Sequence, residues 1–142
     1  MSSRKSNWPA LLALFIEEKQ HAPFEWGQND CCMFTADWIC ILTGEYPHKA
    51  AEMRGTYSTA AEAAEILKAC GGVETIWAEA AEKYGWKPCP TSLAQRGDIA
   101  TVDTEHAGPS MGVVIGATVL YAGTDGAVEI PTNKCRKAWR IG

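Results

Sequence analysis

Apolar positions along the chain follow two regimes, and the change comes near Pro90. In the first regime they recur every three or four residues. Leu11, Leu12, Leu14 and Phe15, entered through Asn7, Trp8 and Pro9, predict a helix that ends near Gln20, with Pro23 just beyond. The stretch from His21 to Asn29 contains Pro23, Gly27 and Asn29 and reads as a loop. Cys31, Phe34, Trp38 and Leu42 share one face of a helix over residues 31–43, with Asp30 as its cap and Gly44 as its left-handed stop. Thr59-Ala60-Ala61-Glu62 is a capping box that opens a third helix, which runs to Cys70 and ends at Gly71-Gly72. A fourth spans residues 73–84, turns Val73, Ile76, Trp77, Ala80 and Tyr84 inward and stops at Gly85.

In the second regime the apolar residues come in short, β-branched runs punctuated by glycine and proline. Residues 99–102, 111–115, 119–122, 128–130 and 138–141 predict antiparallel strands. Helices followed by strands imply a single α+β domain over 1–142, with N-terminal helices packed on one side of a small C-terminal antiparallel sheet or open barrel.

Composition narrows the function classes. Hydrophobic residues make up 46% of the 142 positions and charged residues 21%, which supports a packed core. The formal net charge of −4 argues against nucleic acid as a partner, since such proteins carry a basic face. Lys134, Arg136, Lys137 and Arg140 read as a solvated strand edge or a small local patch. The longest apolar run, residues 10–16, is too short to cross a bilayer and is followed at once by Glu17, Glu18 and Lys19, so no membrane span is expected. Six cysteines without a C-x-x-C pair indicate neither a zinc ribbon nor a disulfide framework, and point to synthesis in a reducing cytoplasm. The absence of a P-loop, a dinucleotide fingerprint or an H-E-x-x-H leads us to expect no cofactor and no metal.

The candidate chemistry lies in Phe24-Glu25-Trp26-Gly27-Gln28-Asn29-Asp30-Cys31-Cys32. A cysteine in the first turn of a helix meets the positive end of the macrodipole and unpaired amides, which favour thiolate. Cys31 therefore reads either as a nucleophile or as a small buried hydrophobe. Asp30 reads either as a site-orienting carboxylate or as a plain helix cap, and Trp26 as a core or cleft-wall aromatic.

The aromatic-x-Trp-Gly loop before Asp30-Cys31 resembles the nucleophile segment of NlpC-like papain-fold cysteine peptidases. Arg96-Gly97-Asp98-Ile99 is similar to their strand entry, Ser110-Met111-Gly112-Val113-Val114-Ile115-Gly116 to their H-V-G-I-V-I-G strand, and Val119-Leu120-Tyr121-Ala122 to its hairpin partner. With Arg54-Gly55-Thr56-Tyr57 and Ala138-Trp139-Arg140-Ile141 added, the chain resembles small proteins encoded in phage and prophage tail-gene clusters. The resemblance implies a papain-like, NlpC-like fold, Cys31 as nucleophile, phage tail proteins and cell-wall peptide as partners, and passage from the host cytoplasm into the virion tail.

Two positions depart from that pattern. Ser110 stands where the resemblance expects the catalytic histidine, and Tyr121 where it expects the polar residue that orients it. Serine is no base near pH 7, which leaves His106, four residues upstream in a loop, as the imidazole nearest in sequence. The expectation is a structural or assembly role at the tail tip with a degenerate or altered active site. The alternative is a peptidoglycan endopeptidase that uses Cys31 with His106 as base, and a third reading keeps the cleft for binding alone.

Overall fold

The computed structural model describes residues 3–104 and 108–142. Among them, five helices precede six strands: α1 (Trp8–Gln20), α2 (Cys31–Thr43), α3 (His48–Met53), α4 (Ala60–Ala69) and α5 (Val73–Tyr84), then β1 (Lys87–Cys89), β2 (Ile99–Thr104), β3 (Gly108–Val114), β4 (Thr118–Gly123), β5 (Gly126–Pro131) and β6 (Ala138–Arg140). The strands form one antiparallel sheet in the order β1-β6-β2-β3-β4-β5. The α+β class expected from the hydrophobic pattern is the one observed.

Helix α2 is the axis of the molecule. Cys32, Met33, Phe34, Ala36, Trp38, Ile39 and Leu42 are all buried, so the helix is apolar on nearly every side and must be enclosed. It lies between α1 on one side and β3 and β4 on the other. Phe15 of α1 meets Phe34 and Trp38 with ring centroids 5.0 and 5.4 Å apart. The Trp38 indole N–H donates to the Gly97 carbonyl at 2.9 Å, which satisfies the polar atom of a wholly buried side chain.

Strand alternation divides the apolar residues of the sheet between two cores. Met111, Val113, Leu120 and Ala122 face the helices. Val114, Val119 and Tyr121 join Ala100, Val102, Cys135 and Ala138 in a second, smaller core.

Two elements were not expected. Helix α3 is too short to show a period, and β1 contains Pro88, which argues against a strand in a sequence. Proline is tolerated there because β1 is an edge strand that pairs only with β6. On α5, Ala81 takes the fully buried place, while Ala80 and Tyr84 are half-buried. The capping box forms one residue wider than expected: Thr59 Oγ1 accepts the Glu62 N–H at 3.1 Å, while Glu62 Oε1 accepts the Ser58 N–H at 3.0 Å. Two of the four late cations are engaged in the fold. Arg136 pairs with Glu74 at 3.2 Å and Asp103 at 3.3 Å, and Arg140 donates to the Leu93 carbonyl at 3.2 Å.

A buried ion pair joins the N-terminal segment to the sheet. Asp98 is wholly buried and accepts from Arg4 Nη2 at 2.6 Å, from the Gln95 N–H at 2.9 Å and from the Ile141 N–H at 3.2 Å. Arg4 also donates to the carbonyls of Ile141, at 2.6 Å, and Arg96, at 2.8 Å. Burial pushes the Asp98 carboxyl above its ordinary range, and the backbone donors and Arg4 pull it back. Arg4→Ala removes the nearer of the two cations that face this buried carboxylate, leaving Arg140 Nε at 4.0 Å, and should cost about 3 kcal/mol in urea unfolding at pH 7. Adding Asp98→Asn should restore part of that loss; a cost below about 1 kcal/mol for Arg4→Ala would show that the pair does not hold the termini.

Candidate functional site

The loop before α2 takes its shape from Asp30. This residue has an extended backbone at the N-cap position, and its Oδ1 accepts the Met33 N–H at 3.0 Å. Its Oδ2 accepts the Gly27 N–H at 2.9 Å and the Tyr57 hydroxyl. Gly27 has φ +78°, and a Cβ there would run into the Tyr57 carbonyl oxygen, so only glycine fits. The segment 54–57 closes over the loop. The Gly55 N–H donates to the Gly27 carbonyl at 3.0 Å, and Arg54 Nη1 donates to Gln28 Oε1 at 3.1 Å while its other nitrogens hold Asp37 and Tyr46. Burial and the Asp30 carboxylate push the Tyr57 phenol far above its ordinary range, so it remains a donor.

With the loop fixed, Cys31 becomes the first residue of α2 and its thiol meets β3. The Cys32 and Ser110 side chains and the Met111 backbone are close enough to the sulfur to act on its ionisation. The bond from Cys32, then those from Met111 and Ser110, hold Cys31 below the ordinary thiol range, against burial and the Asp30 charge. The helix start acts in the same direction. Cys32 goes the opposite way: its bond to Cys31 and its burial push it well above a free thiol.

Beside Cys31 opens a cleft of about 640 Å³, within the range of small-ligand sites. Phe24 and Trp26 line it from the loop, Ser110 and Tyr121 from β3 and β4, and Val128 and Ile130 from β5, with Asp103, Asp125 and Lys134 among its polar residues. Burial raises the Tyr121 phenol, so it too stays protonated.

Four of the residues singled out from the sequence thus meet here: Trp26, Cys31, Ser110 and Tyr121. Asp30 adjoins them, but both its oxygens are turned to Gly27, Met33 and Tyr57, which is the work of a cap. His106 lies outside the described residues. His21 caps the end of α1, and His48 pairs with Glu52 at 3.0 Å on α3. Among the described residues, no imidazole lines the cleft and no cluster of three or more His, Cys, Asp or Glu is arranged to hold a metal. Among them, too, no helix is long and apolar enough to cross a membrane. Arg54 and Tyr57 are the residues whose role the sequence did not reveal; their Arg-Gly-Thr-Tyr run was visible, but not its contacts.

A family model described as "Domain of unknown function (DUF6950)" matches residues 3–141. No curated protein matches the chain.

The lowered Cys31 thiol has a measurable sign. Iodoacetamide alkylation of Cys31, followed against pH by peptide mass mapping, should rise at a midpoint below the free-thiol value of about 8.5. Cys32→Ala removes the largest contribution that lowers it and should move the midpoint upward. A midpoint at or above the free value in the unmodified chain would contradict the hydrogen-bond arrangement around the sulfur.

Proposed function

The chain belongs to the DUF6950 family, and we propose that it is a phage-tail-associated assembly domain on a papain-like, NlpC-like fold, whose cleft binds a partner's peptide segment without cutting it. The observation that carries this reading is the identity of the residue facing the thiol. Ser110, which lines the cleft from β3, stands where the resemblance expects the imidazole, and no described residue of the cleft supplies one. Peptide cleavage needs a base for the thiol and then an acid for the departing amine. Hydrogen bonds that lower the Cys31 thiol ease the first need, and nothing described meets the second.

The tail setting and the papain-like arrangement draw on the sequence resemblance. In their support, Trp26 of the Trp-Gly loop, Cys31 at the head of a central helix and Ser110 of β3 line one cleft. The apolar walls and the polar residues at the cleft suit an extended peptide with mixed side chains. A hydrolytic reading finds its own support in the lowered thiol of Cys31, and the experiment separates the two.

The purified protein should release no new amine termini from peptidoglycan of several wall types, and Cys31→Ala should leave tail assembly and the presence of the protein in purified tails unchanged. Release of amine termini that disappears in Cys31→Ala would establish a hydrolase instead. Ser110→His should bring an imidazole against the sulfur and raise the Cys31 alkylation rate near pH 7 by about tenfold or more, as a paired thiolate forms; an unchanged rate would show that Ser110 is not the equivalent position.

A further inference from the structure

We propose that β5 takes up an extended peptide as a further antiparallel strand of the sheet, with the peptide's cationic end at Asp125 and its anionic end at Lys134. The inference deepens the binding reading above and rests on its cleft: it names how a partner's segment is held there and in which direction it runs.

The open edge follows from the register. Thr118 of β4 faces Pro131 of β5, and one step beyond that pair the Thr132 N–H donates to the Ala117 carbonyl at 2.8 Å. Bonded and unbonded pairs alternate along an antiparallel ladder, so Ile130 and Val128 turn their backbone groups to Val119 and Tyr121. The other side of β4 agrees. There the Ile115 N–H donates to the Thr118 carbonyl at 2.9 Å, which assigns Thr118 and Leu120 to β3 and leaves Val119 and Tyr121 for β5. Since β5 is the last strand of the sheet, the N–H and C=O of Ala127 and Glu129 point away from it, and among the described residues nothing bonds to them.

Val128 and Ile130 line the cleft, and Val128 is 38% exposed. A strand laid on this edge sets its alternate side chains beside those two, on the cleft face. Free charges mark both ends of the edge. Asp125, in the turn before β5, and Lys134, just after it, border the cleft, are exposed and form no ion pair among the described residues, whereas Asp103 is taken by Arg136. Every pairing in the sheet is antiparallel, so the guest meets a carboxylate at its C-terminal end and an ammonium at its N-terminal end. A second copy of the chain fits less well, because a six-residue edge alone buries less than the roughly 1,000 Å² that a stable pair of subunits needs.

The test titrates the isotope-labelled full chain, followed by amide NMR, with acetyl-Glu-Val-Thr-Val-Thr-Ser-Lys-amide. Its second and fourth residues come opposite Ile130 and Val128, and its third and fifth opposite Glu129 and Ala127. In the free protein the Ala127 and Glu129 amides should exchange with deuterium readily and those of Val128 and Ile130 slowly; the peptide should slow the first two by about tenfold or more. N-methylation of the third or fifth peptide residue should weaken binding by about tenfold, while N-methylation of the fourth, whose N–H points away, should change it by about twofold at most. Exchanging the two charged residues of the peptide should weaken binding by about fivefold at low salt, and Asp125→Lys combined with Lys134→Glu should reverse that preference. Equal loss from all three N-methyl peptides, no preference between the charge orders, or no shift at millimolar peptide would overturn the inference. Edge amides already slow in the free chain, and slower at higher protein concentration, would give the edge to a second copy and overturn it too. Peptide bound with both edge amides untouched overturns this inference alone, whereas peptide cut into fragments overturns the binding reading.

Discussion

The carboxylate of Asp30 is the joint at which three segments of the chain are fixed to one another. One oxygen caps α2, and the other gathers the Gly27 turn and the Tyr57 hydroxyl. Hydrogen bonds to a charged acceptor are each worth about 1.5–3 kcal/mol, so this single buried group rivals a sizeable part of a domain's net stability. The direction of the constraint matters more than its size. With the cap in place the next residue can only be the first of the helix, and its side chain can only meet β3. The cleft is therefore a consequence of the cap.

The adjacent cysteines show how strongly position decides chemistry. Cys31 and Cys32 are neighbours in sequence and hydrogen-bond to each other, yet one is lowered and the other raised. The difference arises because Cys31 also receives the Met111 amide and the Ser110 hydroxyl and borders the cleft, whereas Cys32 is packed in the core among the residues of α2.

What the sequence disclosed follows the range of the interactions. Helices α1, α2, α4 and α5 carry their own signals, a period together with a cap, a proline or a glycine at an end, and all of these are local. Helix α3 is a single short stretch beginning after Pro47, and β1 is legible only through its pairing with β6 some fifty residues later. At the site, the thiol at a helix start could be read from Asp30 and Cys31 alone. The two roles left open for Asp30 could not be separated, because the partner that decides between them, Tyr57, is 27 residues away. Arg54, which reaches Asp37 across 17 residues, was equally silent. Ser110 and Cys31, singled out from separate motifs, line the same cleft, and the strand that carries Ser110 was legible from its alternation.

The sheet order also has a consequence for how the molecule is made. Strand β6 lies between β1 and β2, and no other element joins those two in the sheet. Before β6 is in place, the helices and the β2-to-β5 meander can pair among themselves, but β1 has no neighbour in the sheet and the outer edge of β2 stands open. Such an edge invites pairing with another nascent chain. The Ile141 N–H that reaches Asp98 arrives at the same moment as the strand that closes the gap. Until β6 is paired the edge of β2 stays exposed, and that interval is when a chaperone would have most to protect.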